Sequence, residues 1–292
     1  MKTPNTITLR IWGDFACFTR PEMKVERVSY SIMTPSAARG ILEAVFWEPQ
    51  MFYLIDSIRV VKRGRWVSFR RNEVTKVISI DSAKTWMHYP ERTSPIQAGG
   101  GAEDGTQRNM LALQDVEYLV TAEVHTTPLA DRPGDKQEKY LAEIERRARS
   151  GKCFHRPGLG MREFAADFEW EDDAGAALQR RHTELGQASA QVTEDLGLML
   201  YDVFDYRERA YGFRWLRDEE TVARELQFDS SLAELKKSEQ TKRQKEYAES
   251  RPRWTRPPLK PQPAFFHARV EESILDCHPD RIRILSTPTG GN

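Results

Sequence analysis

The sequence contains few cysteines, and their placement argues against the sites that cysteines usually build. Its 292 residues include Cys17, Cys153 and Cys277, which are odd in number and far apart in the chain. No Cys-x-x-Cys pair or Cys/His cluster accompanies them, so neither a structural zinc site nor a disulfide framework is supported. This use of cysteine fits a reducing compartment.

Long hydrophobic runs are also missing. No apolar stretch approaches the roughly 18 residues of a membrane span, and the first residues lack the pattern of a secretory signal. Hydrophobic residues make up 39% of the chain and charged residues 30%. Together these features predict a cytoplasmic, globular protein with a highly charged surface.

Motifs for phosphate-loop, triad or metal chemistry are not found. The glycines at 99–101 are followed by neither a lysine nor a helix, so they do not form a phosphate-binding loop. The six histidines are scattered, no pair has the i, i+4 spacing of metal ligands, and no Gly-x-Ser-x-Gly element occurs. We expect no metal and no other cofactor.

The net charge of the chain is zero, but basic residues are concentrated in two segments. Lys plus Arg and Asp plus Glu both number 44, while residues 59–76 hold seven Lys or Arg against one Glu. Residues 146–162 hold six Lys or Arg and no acid. Affinity for nucleic acid depends on such local patches rather than on the sum of charges, so nucleic-acid binding stays open.

One stretch, residues 13–47, combines a basic and aromatic loop with a helix. In the loop, aromatic residues alternate with the cations Arg20, Lys24 and Arg27. Thr34 is a suitable N-cap and Pro35 a suitable first helical residue. Apolar residues then recur at helical spacing, at Ala38, Ile41, Leu42 and Val45, which predicts a helix over 35–47 packed on a sheet. Cations that bind phosphates beside aromatic faces that stack on bases are typical of single-stranded RNA binding; an ordinary loop with solvated charges is the alternative.

The remaining periodicities predict two β-α-β units. A second helix is expected over 135–150, and strands are expected at 6–12, 51–61, 111–125, 164–170, 195–205 and 264–270. The order β-α-β-β-α-β is that of a ferredoxin-like, α+β fold, which RNA recognition motifs share. The aromatic signature of those motifs does not occur in the sequence, so a standard base-stacking sheet is not expected.

Segments outside these units predict an arm and a second, smaller part. Residues 67–80 suggest a projecting basic arm, and 93–108 a polar loop. We expect the ferredoxin-like domain to span 1–205 and a C-terminal β-rich part to span 206–292. Within that part, the charged and proline-rich residues 214–263 form a helical insertion, which either docks a partner subunit or is a solvated excursion.

Four stretches together resemble one known family. They are residues 13–49 (GDFACFTRPEMKVERVSYSIMTPSAARGILEAVFWEP), 70–74 (RRNEV), 146–164 (RRARSGKCFHRPGLGMREF) and 195–203 (DLGLMLYDV). In this order they are similar to the Cas-five family of CRISPR-associated proteins, subtype I-C. The likeness covers about the first 205 residues, and four ordered matches are more specific than one short motif.

The resemblance implies a protein that binds the 5′ repeat-derived handle of a CRISPR RNA. It implies as partners the Cas-seven backbone subunits, the large Cas-eight subunit and, through their complex, target DNA. RNA-binding candidates are the basic or polar residues of the matched stretches: Lys24, Arg27, Arg39, Arg70, Arg71, Asn72, Arg146, Arg147, Arg149, His155, Arg156 and Arg162. Arginine suits phosphate because its planar fork donates two hydrogen bonds.

The resemblance also implies metal-independent cleavage of the precursor RNA, which needs a base for the 2′-OH, an acid for the leaving oxygen and a cation near the phosphate. Family members have a Tyr at the end of the first helix and a Lys-His pair near the start of the second. Here those positions are Phe46 and Lys139-Tyr140, with Lys136 a nearby alternative. Lys139 and Tyr140 are the catalytic candidates, although a pKa of about 10 makes tyrosine a poor base.

Three alternatives stay open. In the first, Lys139 is an exposed helix lysine and Tyr140 a core residue. The protein would then be a non-catalytic cap that binds the handle and anchors the complex. An unrelated RNA-binding protein of ferredoxin-like fold is the third possibility, which would leave four ordered matches to chance.

Overall fold

The computed structural model describes residues 5–97, 99, 101–127, 130, 133–186, 193–203, 231–232, 235–250 and 263–286. Within these residues the chain is a mixed α+β structure of five α-helices and one ten-stranded, mainly antiparallel sheet. None of the described helices has the length and apolar character needed to cross a membrane.

The elements have the following bounds. The strands are β1 (Thr6–Ala16), β2 (Arg27–Val28), β3 (Met51–Lys62), β4 (Arg65–Val74), β5 (Gly105–Thr126), β6 (Asp167–Trp170), β7 (Glu194–Asp202), β8 (Ala264–Glu271), β9 (Ile274–Asp276) and β10 (Ile284–Ser286). The helices are α1 (Pro35–Val45), α2 (Ile80–His88), α3 (Gln137–Arg149), α4 (Ala174–Glu184) and α5 (Lys237–Ser250).

Strand β5 is the centre of the sheet. Its C-terminal half pairs antiparallel with β1 on one edge and with β3 on the other. Strand β6 lies outside β1, and β9 lies outside β3, which gives the order β10-β8-β9-β3-β5-β1-β6. Because β9 pairs with β3, the C-terminal strands continue the same sheet.

The N-terminal half of β5 forms an arm with β4. Each residue of β4 pairs with one of residues 105–114, antiparallel, and the two-residue β2 pairs with β5 in parallel. The expected loop over 93–108 is therefore wrong at its end, because residues 105–108 are strand. Helix α2, in the connection from β4 to β5, was not predicted.

The predicted helices α1 and α3 are confirmed and share one core. Thr34 Oγ1 accepts a hydrogen bond from the Ala37 N–H at 3.2 Å, the expected N-cap. The four predicted apolar residues of α1 are buried, and so are Tyr140, Ile144 and Ala148 of α3. Both helices pack on the same face of the sheet in one hydrophobic cluster.

Part of the charged insertion lies outside the described residues. Of residues 214–263 the structure describes 231–232, 235–250 and 263, and α5 is the helix found there. The proline-rich residues 251–262 and the end of the expected strand at 204–205 fall outside the description.

The opposite face of the sheet carries a buried ion cluster that sequence periodicity did not reveal. Glu117 of β5 is 2% exposed. Arg10 Nε donates to its Oε1 at 2.7 Å, and Arg181 of α4 donates to both of its oxygens at 2.6 and 2.9 Å. Burial alone would raise the pKa of Glu117, but the hydrogen bonds from the two arginines outweigh it and lower the pKa below its usual value.

Replacing Glu117 by Gln should destabilise the fold and reduce its acid sensitivity. The variant leaves two largely buried arginines without their carboxylate, so we expect the free energy of unfolding at pH 7 to fall by about 3 kcal/mol. A carboxyl with a lowered folded pKa stabilises the protein above its unfolded pKa, and this contribution is lost as the pH falls through the folded value. Urea unfolding from pH 7 down to pH 3 should therefore show a flatter decline for the variant than for the wild type. Glu271→Gln, at an exposed position, is the control, and equal curves for wild type and Glu117→Gln would contradict the assignment.

Candidate nucleic-acid interface

A tight loop between α3 and β6, residues 157–166, contains the exposed Arg162 and directly follows the exposed Arg156. Within the loop, the Leu159 N–H donates to the Phe164 carbonyl at 2.7 Å. The Cys17 N–H donates to the Leu159 carbonyl at 2.9 Å, and the Leu159 side chain is fully buried. The loop is thus attached to the end of β1 by both backbone and side chain.

Gly160 allows this attachment. Its φ of +83° favours glycine, and a Cβ there would lie 2.1 Å from the Cys17 carbonyl oxygen. On the other side of the loop, the Phe164 ring packs 5.7 Å from Phe15 of β1 and 6.0 Å from Phe69 of β4. The loop therefore has one position relative to both the sheet and the arm.

Two adjoining grooves follow this loop, and we call them together the basic groove. The first, of about 440 Å³, runs between the loop and the solvent face of α1, where the small residues Ser36, Ala37, Gly40 and Ala44 form its floor. The second, of about 510 Å³, lies between the loop and the segment before β2. The predicted RNA-binding residues that line the basic groove are Lys24, Arg27, Arg156 and Arg162.

Three of these cations form no ion pair with the part of the chain that the structure describes. Among the residues that the structure describes, none places a carboxylate oxygen within 4.0 Å of Lys24, Arg156 or Arg162. Arg27 lies 4.0 Å from Glu73 at the limit of an ion pair. Glu163 also lines the second groove, but its carboxylate pairs with Arg71. Lys24, Arg156 and Arg162 therefore present positive charge that no ion pair within the described residues neutralises.

Strand β4 divides the second predicted group between its two sides. Arg71 lies beside the loop, with Nη1 3.9 Å from Met161 Sδ and Nη2 donating to Glu163 at 3.0 Å. Arg70 and Asn72 are exposed on the other side of the strand, because successive side chains alternate. The structure thus brings Arg71, but not its two neighbours, to the edge of the basic groove.

The arginines at the end of α3 are paired with acids of their own helix. Arg146 and Arg147 both donate to Glu143, and these hydrogen bonds, first of all that from Arg146, lower the pKa of Glu143 to about 2. Arg149 donates to Glu145 and to Asp172. These three residues do not line the basic groove.

Arg39 is buried rather than available to a ligand. It is 9% exposed, and its guanidinium donates to both oxygens of Asp202 at 2.8 and 3.1 Å and to Glu43. Since Asp202 ends β7, this ion pair joins α1 to the C-terminal strands. We therefore exclude Arg39 from the candidate interface.

The catalytic candidates lie beyond the C-terminal end of α1. The Tyr140 ring is fully buried and stacks on Phe46 at 6.5 Å. Its hydroxyl donates to Asp135 at 3.0 Å, and burial followed by this hydrogen bond raises its pKa above the usual value. Tyr140 is thus neutral near pH 7. Lys139 is about half exposed, with Nζ 3.3 Å from Asp135 and 3.8 Å from Glu48.

The end of α1 is covered by residues 154–155. The Phe154 and His155 N–H groups both donate to the Ala44 carbonyl, at 2.9 and 3.0 Å. The two rings lie 4.4 Å apart, edge to face, and both residues are exposed. Sequence reasoning singled out His155 but not Phe154, although an aromatic residue between Cys153 and the basic HRP segment was a visible signal.

Across the described ranges, no three His, Cys, Asp or Glu side chains are close enough to hold a metal ion. The candidate interface presents cations, which bind phosphates, and exposed aromatic rings, which stack on unpaired bases.

Comparison with known proteins points to one family. A family model, Cas_Cas5d, described as "CRISPR-associated protein (Cas_Cas5)", matches residues 6–250. The protein of Mannheimia succiniciproducens named CRISPR pre-crRNA endoribonuclease Cas5d is 41% identical over 212 residues, which cover 72% of this chain and 90% of that protein. A protein of the same name from Thermus thermophilus is 39% identical over 202 residues, which cover 68% of this chain and 72% of that one. A crystal structure of a CRISPR-associated protein, 16% identical, has a TM-score of 0.50 and covers 93% of this chain and 90% of its own, a likeness of fold alone.

Replacing Gly160 by Ala should weaken the attachment of the 157–166 loop. The new Cβ would overlap the Cys17 carbonyl, and the positive φ adds strain, so we expect the free energy of unfolding to fall by about 1–3 kcal/mol. The matched control is Gly40→Ala, because a Cβ there meets nothing within 4 Å and should stabilise α1 by about 0.5–1 kcal/mol. Thermal or urea unfolding measures both, and the same sign of change for both variants would contradict the proposed attachment.

Proposed function

The chain belongs to the Cas5 family of CRISPR-associated proteins, and from this premise we propose that it binds the 5′ repeat-derived handle of a CRISPR RNA and cuts the precursor RNA. Membership confirms the resemblance that four sequence stretches indicated. The observation that carries the proposal is the position of Lys24, Arg156 and Arg162 on one groove, where they form no ion pair with any described residue. Buried or paired cations, such as Arg39 and Arg146, do not contribute to it.

The shape of the basic groove favours a single strand of RNA. Its floor is the small-residue face of α1, so a sugar-phosphate backbone can approach the helix closely. Helix α1 has 11 residues and is therefore about 16 Å long. A strand that follows this face past Ala44 comes to the end of α1, where Phe46 packs on Tyr140 and Lys139 is exposed.

We further propose that β1, α1, β3, β5, α3 and β6 form a ferredoxin-like unit. The order of their chain is β-α-β-β-α-β, and the neighbouring strands β3-β5-β1-β6 are all antiparallel. In this proposal residues 1–205 hold the RNA, and 206–292 form the smaller part with its insertion. Cas-seven backbone subunits, the large Cas-eight subunit and target DNA are the proposed partners, in the cytoplasm.

Cleavage would depend on Lys139 more than on Tyr140. The half-exposed ammonium group of Lys139 would leave its ion pairs with Asp135 and Glu48 to stabilise the negative charge that develops on a phosphate. The Tyr140 hydroxyl is buried and already donates to Asp135, so it is poorly placed to reach a substrate. Phe46 has no titratable group where the family has a tyrosine.

Phe46 and Tyr140 favour a second function. With Phe46 and a buried Tyr140, the protein could hold the handle as a non-catalytic cap that anchors the surveillance complex. Both functions use the basic groove, so they differ in cleavage and not in binding.

Removal of the groove arginines should weaken RNA binding and its dependence on salt. For Arg156→Ala and Arg162→Ala, we expect the slope of log K against log salt to fall by about 0.7 for each lost phosphate contact. Fluorescence anisotropy with a single-stranded repeat RNA, over roughly 50–200 mM salt, measures the slope. Lys242→Ala, on the exposed surface of α5, is the control. If a protein with both substitutions, Arg156→Ala and Arg162→Ala, keeps the wild-type affinity and salt slope, the basic groove is rejected as the RNA site.

A cleavage assay in EDTA separates the two functions. We expect the wild type to make one specific cut in its repeat RNA, and Lys139→Ala to slow the cut by roughly 100-fold while binding stays within a factor of about three. Tyr140→Phe should still cut, since the Tyr140 hydroxyl faces Asp135. Lys242→Ala, on the exposed surface of α5, is the lysine control. Tight binding by the wild type without any cut would establish the non-catalytic cap instead.

A further inference from the structure

One aromatic ring is exposed beside the basic groove without an evident structural reason. Phe154 is 73% exposed, the highest fraction of any aromatic residue that the structure describes. Exposed phenyl rings are common singly on protein surfaces, so its exposure by itself carries no conclusion. Its backbone attachment and its neighbours give it a definite place.

The backbone fixes Phe154 at the end of α1. Its N–H donates to the carbonyls of Ala44 at 2.9 Å and Val45 at 3.3 Å, and the next N–H donates to Ala44 as well. Before it, Cys153 packs against the core. The chain at this point is therefore held on both sides, while the ring itself extends into solvent.

Among the described residues, His155 is the aromatic side chain in ring contact with Phe154, and most of the ring surface stays exposed. His155 meets it edge to face, with centroids 4.4 Å apart and planes at 67°. This contact restricts the ring without covering both of its faces. A flat, restrained and solvent-exposed ring is the form in which proteins stack on unpaired bases.

The position of the ring relative to the phosphate-binding cations completes the argument. Ala44, which accepts the hydrogen bonds from residues 154 and 155, also lines the basic groove. Arg156, two residues after Phe154, lines the same groove and has no acidic partner among the described residues. Beyond Ala44 the chain leads to Phe46, which packs on Tyr140.

We infer that Phe154 is a base-stacking platform on which an unpaired base of the bound RNA lies while the adjacent phosphate contacts Arg156. This inference rests on the proposed function and specifies where along the groove a base is held. Loss of one stacked base typically weakens binding about five- to 150-fold. A flat ring matters here, because stacking uses the π face and not apolar volume alone.

Variants at Phe154 separate stacking from apolar contact. Phe154→Ala removes the ring, Phe154→Leu keeps apolar volume without a π face, and Phe154→Trp keeps a π face. We expect the first two to weaken binding of the repeat RNA about tenfold and the third to bind as the wild type does. Leu285→Ala, an exposed apolar residue on β10, is the control, and equal thermal unfolding of all variants shows that folding is unaffected.

RNA labelled with 2-aminopurine, one handle position at a time, locates the base. At one position we expect fluorescence to be quenched in the wild-type complex and restored with Phe154→Ala. An abasic site at that position should remove the difference in affinity between the two proteins. The platform is rejected, and the RNA-binding function stands, if Phe154→Ala binds the RNA as tightly as the wild type and the 2-aminopurine fluorescence at every position is the same in both complexes. If the wild type does not bind the RNA, both are rejected. If Phe154→Leu binds the RNA as tightly as Phe154→Trp, the contact is apolar rather than stacking, and the platform is also rejected.

Discussion

The hydrogen bonding of β5 along both of its edges is the constraint on which the other features depend. On one edge it pairs first with β4 and then with β3, and on the other with β2 and then with β1. Core sheet and arm are therefore continuous through one strand of 22 residues. This continuity places Arg27 of β2 and Arg71 of β4 on either side of Met161, in the 157–166 loop. Three distant segments of sequence thus contribute cations to one surface.

Local sequence patterns predicted the elements that are determined by neighbouring residues in the chain. Helix α1 follows from its cap and apolar spacing, and the arm was suggested by an alternating basic segment. Arg39 shows where this reasoning ends. It was named an RNA-binding candidate because it lies in a basic, family-like stretch, yet its partner Asp202 is 163 residues away in the chain. Only the packing of β7 beside α1 makes that arginine part of the core.

The two halves of the basic stretch 146–162 differ for a reason that the sequence partly contains. Arg146, Arg147 and Arg149 lie on α3, where Glu143 and Glu145 three or four residues earlier are natural partners. Arg156 and Arg162 follow the end of the helix, so helical spacing supplies no acid for them. What could not be predicted is that the loop would bring them against α1, since that depends on the contact of Gly160 with Cys17.

The hydrogen bonds at the end of α1 join this helix end to the segment 153–156. The carbonyls of Ala44 and Val45 bind the N–H groups of residues 154 and 155, and Phe46 is the residue that follows them. A displacement of residues 154–155 therefore disturbs the end of α1 as well, so the position of residue 46 is coupled to that of the segment 153–156. For protein engineering, this means that a substitution at position 46 would have to be optimised together with residues 153–156 rather than alone.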